Sequence, residues 1–207
     1  GLLSPGGFAD KKSHDEFCSK MDCVISNVFD QSRCGGKCPA PGGNHLGQRH
    51  KLVNASRHKI TVGGDSPVPV YGMWFDPGYG YHVDNTSGVA TGNQPESIFA
   101  VMSGTHWNDG CCFDYGNSET DDKNDGCATM EAIYFGNASW HGNRGAGTGP
   151  WLGGDFEQGM YFGGGNVTQV NPMNKPLTSD FVSLHLKGRV DGFALKGGDA
   201  TKGTLAT

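Results

Sequence analysis

The sequence predicts an all-β domain, built as a sandwich or jelly roll. Glycine accounts for 35 of the 207 residues, and glycine serves turns and bulges but weakens helix interiors. Short apolar runs, each ended by Gly, Pro or Asn, follow one another along the chain, which is the pattern of short strands joined by turns. Helical periodicity is scarce, and neither an internal repeat nor a linker is evident. We therefore expect residues 1–207 to form a single domain with one core.

The elements follow in order along the chain. The first 17 residues are predicted to be an arm or loop. Beyond them, β-branched and aromatic residues concentrate in runs that favour strands. The predicted strands are residues 24–29, 58–62, 68–75, 97–102, 130–135, 159–162, 181–187 and 192–195. The stretch 196–207 is polar, rich in glycine and without a closing strand, which suits an edge, a tail or an incomplete sandwich.

Charge and composition exclude several classes of function. The formal net charge is −5 and the cations are scattered, whereas a nucleic-acid interface needs a clustered basic face. No apolar stretch is long enough to span a bilayer, so no membrane contact is expected. The first residues, 1–4, are typical of a processed or incomplete chain.

The cysteine content and the sequons predict an extracellular protein. Seven cysteines favour an oxidising compartment. Asn-X-Ser/Thr tripeptides predict glycosylation in a secreted chain. They begin at Asn54, Asn85, Asn137 and Asn166. Such tripeptides also arise by chance in a chain rich in Gly, Asn, Ser and Thr, so they serve only as support.

Two local cysteine pairs are candidates for disulfides. Cys18 and Cys23 are close in sequence, and a bridge between them would close a small loop worth ~2 kcal/mol of unfolded-state entropy. Cys34 and Cys38 flank a glycine-rich turn and predict a second local bridge. Zinc is the alternative there, but a zinc site needs a second Cys/His pair nearby, so no metal is predicted.

The adjacent pair Cys111–Cys112 is the most unusual feature of the sequence. Consecutive Cα atoms lie about 3.8 Å apart, whereas ordinary disulfides prefer about 4.4–6.8 Å. A bond between the two would therefore form a small, strained ring with a flat apolar sulfur face, suited to a group lying against it. The alternative is that each cysteine pairs elsewhere.

The segment 151–159 places two carboxylates two residues apart, at Asp155 and Glu157. On a strand they share one face, and paired carboxylates can serve glycoside hydrolysis. The alternatives are a solvated acidic face or a pair of calcium ligands. His-Glu-X-X-His and Gly-X-Ser-X-Gly motifs are absent, which disfavours zincin and serine-hydrolase chemistry.

The four tryptophans could stack on sugars, although burial in the core is the better prediction for any one of them. They are Trp74, Trp107, Trp140 and Trp151.

Several motifs together resemble glycoside hydrolase family 54, the catalytic domain of fungal-type α-L-arabinofuranosidase B. The most specific are residues 105–120, which contain the adjacent cysteines, 130–137, 149–151 and 155–157. Residues 17–23, 44–46, 71–81 and 181–207 are similar to the family as well. The resemblance implies a concanavalin-like β-sandwich and a secreted, retaining exo-enzyme without a cofactor. Such an enzyme releases terminal arabinofuranose from arabinan and arabinoxylan.

The resemblance also implies roles for individual residues. Glu157 matches the family's nucleophile, and Asp155 matches a residue that binds the sugar. Gln158 and Gly159 fall at further sugar contacts, although the family usually has Asn at the first of these. Trp140 matches an aromatic wall of the pocket.

For the cysteines, the resemblance implies pairings. Cys111–Cys112 matches a vicinal disulfide that packs against the sugar, and Cys18–Cys23 matches a family disulfide. Cys34 and Cys38 fall in an insertion. Cys127 is left over, either free or paired with another chain.

The departures from the family keep a second function open. The family's acid/base aspartate lies in a Gly-Gly-Asp-Asn motif beyond Thr207, and the similar run 197–200 aligns with an earlier part of the pattern. The alternative function is a non-catalytic secreted carbohydrate-binding or structural domain. Its sandwich would be completed by another chain.

Overall fold

The computed structural model describes nine ranges of the chain, and it divides the chain into two compact units, residues 1–89 and 90–207. The described ranges are 9–28, 47–48, 50–83, 89–90, 94–107, 114–117, 131–137, 144–156 and 170–205. Their elements are α1 (Lys11–Phe17), β1 (Gly47–Gln48), β2 (Lys59–Val62), β3 (Val68–Tyr71), β4 (Tyr81–His82), β5 (Ser97–Ser103), β6 (Asp114–Asn117), β7 (Glu131–Gly136), β8 (Trp151–Phe156), β9 (Phe181–Arg189) and β10 (Gly192–Asp199).

The helix α1 corrects the prediction that the first 17 residues form an arm or loop. Asp10 caps it, because its carboxylate accepts from Ser13 N at 3.1 Å and from Ser13 Oγ at 2.6 Å, which satisfies a donor that a helix start leaves open. The helix ends at Phe17, and the N–H of the capping residue Cys18 donates to His14 O at 3.0 Å. Cys18 forms the predicted disulfide with Cys23, with the two Cα atoms 5.6 Å apart.

In the first unit, the strands form two short antiparallel pairs, β2–β3 and β1–β4. The predicted strand 68–75 ends at Tyr71, because its partner β2 begins at Lys59 and the last cross-strand bond runs from Gly72 N to His58 O. The predicted strand 24–29 is wrong over its described residues, 24–28. That segment makes an isolated bridge from Val24 to Asn54 instead of a continuous ladder.

In the second unit, two three-stranded antiparallel sheets form a sandwich, which confirms the predicted all-β fold. One sheet has the order β6-β7-β8 and the other the order β10-β9-β5. Side chains from both sheets meet in one core, as expected for sheets packed face to face. The buried members of that core are Ile133, Phe135, Leu152, Val182, Leu184 and Leu186.

The strand β10 runs four residues further than predicted, through two glycines that resemble a turn. At Gly197 an added Cβ would lie 2.6 Å from Leu177 Cδ1, and at Gly198 it would lie 1.9 Å from Thr204 O. The glycines therefore permit close packing of the strand instead of ending it. The predicted strand 159–162 lies outside the described residues.

Within the ranges that the structure describes, no helix is long and apolar enough to cross a bilayer.

Candidate active site

The candidate carboxyl Asp155 lies on β8, on the sheet face that points away from the core. It pairs with Ala132, and the next pairs along the ladder are Gly153 with Tyr134 and Trp151 with Gly136. Residues directly opposite in a ladder share a face. The core residues of these two strands occupy the alternate positions. Asp155 therefore lies on the face of β8 that points away from the core, whereas the predicted sharing of one face with Glu157 lies outside the described residues.

The residues beside Asp155 across the sheet are small. Ala132 on β7 is its direct partner, and Gly116 on β6 is the partner of Ala132 on the other side. A Cβ at Gly116 would lie 2.3 Å from Glu131 O, so this position requires glycine for close strand approach. Asp155 itself is only 5% exposed. Among the described residues, Ala132 and Gly116 therefore place no bulky side chain beside this carboxyl across the sheet.

The start of β8 is fixed by Trp151. Its Nε1 donates to Ala146 O at 2.8 Å, and a Cβ at Gly145 would lie 2.4 Å from its Cδ1. Trp151 is 4% exposed, so it serves packing and not sugar stacking, in agreement with the better prediction for a single tryptophan.

Two hydrogen bonds from the segment 174–177 also hold the first residues of β8 and the residue before it. Asn174 Nδ2 donates to Leu152 O at 2.8 Å, and Leu177 N donates to Pro150 O at 2.9 Å. These bonds give the strand that carries Asp155 a fixed backbone at its beginning.

Most of the other predicted site residues lie outside the described residues. They are Cys111, Cys112, Trp140, Glu157, Gln158 and Gly159 for the pocket, Cys34, Cys38 and Cys127 among the cysteines, and Asn85 and Asn166 among the sequons. The two described sequon residues, Asn54 and Asn137, are half-buried, and Asn54 Oδ1 accepts from Ser56 N at 2.9 Å.

Sequence reasoning missed two interior carboxyls, Glu96 and Glu131. Glu131 begins β7 and is 0% exposed, and Glu96 is half-buried just before β5. Burial, and then the charge of Glu131, raise the pKa of Glu96 to about 7. The sequence did contain a signal for the burial of Glu131, because the period of two along a strand places it on the same face as the apolar Ile133 and Phe135.

The carboxyl of Asp199, which follows the two glycines of β10, is held in a turn. It accepts from Thr201 Oγ1 at 2.5 Å and Thr201 N at 2.9 Å, and Lys202 Nζ lies 3.3 Å away. The hydrogen bond from the Thr201 hydroxyl is the main reason that the pKa of Asp199 is lowered. A carboxyl held in its charged form is a poor proton donor, which supports leaving the run 197–200 out of the acid role.

Within the described ranges, no group of three or more His, Cys, Asp or Glu side chains is arranged to hold a metal ion.

The two sheets packed around one core define the class of protein as a β-sandwich, with a shielded carboxyl on the sheet face away from that core. The family model described as α-L-arabinofuranosidase B, catalytic, matches residues 1–207, and the chain belongs to this family.

Individual relatives agree with the family assignment. The chain is 40% identical over 211 residues to α-L-arabinofuranosidase B of Emericella nidulans and 39% identical over 210 residues to that of Aspergillus niger. In each case 99% of this chain is covered, against 40% and 41% of the relative. The chain therefore spans about two fifths of the length of the curated relatives it matches.

Solved structures give the same result. A GH54 α-L-arabinofuranosidase soaked with a cyclic sulfate inhibitor matches with a TM-score of 0.82 at 34% identity, over 100% of this chain and 43% of that one. An arabinofuranosidase complexed with arabinofuranosyl-α-1,2-xylobiose matches with a TM-score of 0.82 at 35% identity, over 100% and 42%.

Proposed function

We propose that this chain is part of a retaining, exo-acting α-L-arabinofuranosidase. It releases terminal arabinofuranose from polysaccharides of the arabinan and arabinoxylan type. The observation that carries the proposal is the family match along residues 1–207. It is supported by the position of Asp155, which is buried on the face of β8 that points away from the core.

The proposed roles follow the family pattern. Glu157 attacks the anomeric carbon of arabinofuranose and forms a covalent glycosyl-enzyme, which water then hydrolyses. Asp155 binds the sugar beside it, together with Gln158 and Gly159. Trp140 forms an aromatic wall.

The proposed sulfur face of the pocket is a disulfide between Cys111 and Cys112. The second proposed local disulfide joins Cys34 to Cys38, and Cys127 remains for another chain or as a free thiol.

The proposed substrate class is supported by a similar protein. That arabinofuranosidase was solved in complex with arabinofuranosyl-α-1,2-xylobiose, a fragment of the arabinoxylan type. We also propose that the protein is extracellular and glycosylated at its four sequons, as the fungal relatives and the cysteine content suggest.

The test uses an activated substrate, 4-nitrophenyl α-L-arabinofuranoside. Nitrophenolate leaves with little help from a proton donor, so the assay reports mainly on the attack by Glu157. We expect release of nitrophenolate by the unmodified chain and none detectable from Glu157→Gln. The control Glu16→Gln makes the same change at an exposed carboxyl of α1, with 69% of its side chain exposed, and keeps the activity.

Two outcomes would contradict the proposal. Equal rates for the unmodified chain and Glu157→Gln would exclude this nucleophile. Binding of arabinoxylan oligosaccharides, measured by calorimetry, with turnover in neither protein would support the alternative, a non-catalytic carbohydrate-binding domain.

A further inference from the structure

The outward face of the sheet β10-β9-β5 carries exposed apolar side chains. Phe99 on β5 is 70% exposed, and Val101 on the same strand is 63% exposed. Their ladder partners on the central strand β9 are His185 and Ser183, which are half-buried. Because side chains alternate along a strand, this face is the one opposite to the core residue Leu184.

Contacts between neighbouring side chains order the centre of this face. The ring centroids of Phe99 and His185 are 6.2 Å apart, with an angle of 24° between the ring planes. Ser183 Oγ lies 2.8 Å from His185 Nε2, so a hydrogen bond also holds the imidazole. The exposed phenyl ring therefore has a fixed neighbour, which favours stacking of a flat apolar group against it.

The charged side chains at the outward positions of this sheet are all cationic. They are Lys187 and Arg189 on β9 and Lys196 on β10. The one carboxylate within the three strands, Asp199, is the ladder partner of the core residue Val182, so it belongs to the inward face. The whole chain has a net charge of −5. The charge of this face is therefore opposite in sign to that of the chain as a whole.

Two of these cations are accessible to a ligand. Lys187 and Lys196 are exposed, and within the part of the chain that is described neither forms an ion pair. Arg189, by contrast, already pairs with Asp191, with Nε 2.9 Å from Oδ1. Lys196 is opposite His185 in the ladder, and Lys187 is two residues further along β9. The two lysines are therefore diagonal neighbours on the sheet.

We propose that this face binds an acidic polysaccharide, with a sugar ring against Phe99 and uronate carboxylates beside Lys187 and Lys196. An exposed aromatic ring can stack on the apolar face of a sugar, and an ammonium group forms charge-assisted hydrogen bonds with a carboxylate. Phe99, His185 and Lys196 form one row across three strands, which spans about 10 Å. Both kinds of contact are thus within reach of one chain of linked sugars.

An acidic polysaccharide fits this face better than other polyanions do. Nucleic acids and anionic membranes are bound by larger clusters of basic residues, whereas this face has two accessible lysines beside an exposed ring. The choice of a polysaccharide also rests on the proposed function, in which the chain acts on polymers of linked sugars.

This face is separate from the candidate active site. Asp155 lies on the other sheet and points away from the shared core, so the core lies between the two surfaces. A charged polymer can therefore be held here without occupying the site that carries Asp155.

The test measures binding of the intact chain by isothermal titration calorimetry, with two probes that differ only in charge. One is an oligogalacturonate, and the other is the methyl ester of the same oligosaccharide. We expect the acid to bind and the ester to bind at least about tenfold more weakly. Added salt should weaken the binding of the acid, because exposed charges are screened. Equal affinity for the two probes, or binding of neither, would overturn the proposal.

Variants assign the binding to this face. Replacing both lysines, Lys187→Gln with Lys196→Gln, should weaken binding of the oligogalacturonate about tenfold, and Phe99→Ala should weaken it at least about fivefold. The control Lys12→Gln removes a cation of α1 that has 87% of its side chain exposed, and it should keep the affinity. The replaced side chains are exposed, so little loss of stability is expected. Unchanged affinity in the double lysine variant or in Phe99→Ala would contradict the assigned surface.

Two other occupants would be recognised by the same set of proteins. Binding of a short DNA duplex as tight as that of the oligogalacturonate would show a general polyanion surface and overturn the proposal. A dimer in sedimentation that is lost in Phe99→Ala would show that a second copy covers the face, and it would overturn the proposal as well.

Hydrolysis of 4-nitrophenyl α-L-arabinofuranoside separates this proposal from the proposed function. The rate should stay within about twofold in all of these variants, since they lie on the other sheet or in α1. A chain that binds the oligogalacturonate but does not hydrolyse this substrate would contradict the proposed function alone. A chain that hydrolyses it but does not bind the oligogalacturonate would contradict this surface alone.

Discussion

The two sheets of the second unit share one core but differ in their outer faces. Every residue of β7 is buried, from Glu131 to Gly136. Along β9, by contrast, buried residues alternate with half-buried or exposed ones, and on its neighbour β5 the outward Phe99 is 70% exposed. The first sheet is therefore covered on both faces at β7 and over residues 151–155 of β8, and the second on one face. The candidate carboxyl Asp155 belongs to the covered sheet, where low exposure strengthens its electrostatic interactions.

The largest expected effect tests whether the outer face of β7 is as well packed as its core face. Tyr134 and Phe135 are adjacent and face opposite ways, and both are buried, at 0% and 1% exposure. Tyr134→Ala and Phe135→Ala should each lower the free energy of unfolding by about 3–5 kcal/mol, measured by urea denaturation. A loss below about 1 kcal/mol for Tyr134→Ala would show that the outer face is not packed.

On β9 the same experiment should give an alternating result. Leu184 is 0% exposed, and Leu184→Ala should cost about 2–5 kcal/mol. Its neighbour Ser183 is half-buried and its Oγ lies 2.8 Å from His185 Nε2, so Ser183→Ala should cost about 1 kcal/mol or less. Equal losses at the two positions would contradict the one-sided burial of this sheet.

A smaller effect is expected from an added methyl on β10. Gly198→Ala would place a Cβ 1.9 Å from Thr204 O, so the backbone must shift, at a cost of about 1–3 kcal/mol. Gly192→Ala on the same strand meets only Arg189 Nε at 3.9 Å and should change stability by less than about 0.5 kcal/mol. Thermal unfolding of the two variants compares them directly, and a tolerated Gly198→Ala would disprove the close approach.

The smallest effect is a dependence of stability on pH that comes from Asp199. The turn holds Asp199 charged and lowers its pKa, so its stabilisation is present above the unfolded pKa and is lost as the pH falls through the folded pKa. Asp199→Asn should therefore flatten the acid side of the stability profile, measured as the unfolding midpoint between pH 2 and 6. An unchanged acid slope would contradict the role assigned to this turn.

The sequence predicted both kinds of strand in the same way, as short runs bounded by turn residues, at 181–187 for β9 and 130–135 for β7. The helix α1 was missed because its seven residues carry no apolar stripe, although Asp10 followed by Ser13 is a capping signal. The strand β10 was cut short because its two glycines resemble a turn unless the contacts with Leu177 and Thr204 are known.

The features of the candidate site also differ in whether a local sequence pattern predicts them. The period of a strand is a local property of the sequence, and it predicts that Asp155 and Glu157 share a face but not which face of the sheet that is. The effect of the charge of Glu131 on the pKa of Glu96 depends on which sheets pack together, and no local pattern contains that information. Similarly, the close approach of Gly116 to the carbonyl oxygen of Glu131 is visible only once the strands are paired.

The most direct test of the account compares two conservative substitutions, one on each sheet. Asp155→Asn removes the shielded carboxyl of the covered sheet, and Asp191→Asn removes a carboxyl with 78% of its side chain exposed beside β9. With 4-nitrophenyl α-L-arabinofuranoside, and with folding of both variants verified by circular dichroism, kcat/KM should fall by about 10²-fold or more for Asp155→Asn. It should stay within about twofold for Asp191→Asn. Equal kcat/KM values for the two variants would contradict the assignment of the sugar site to the covered sheet.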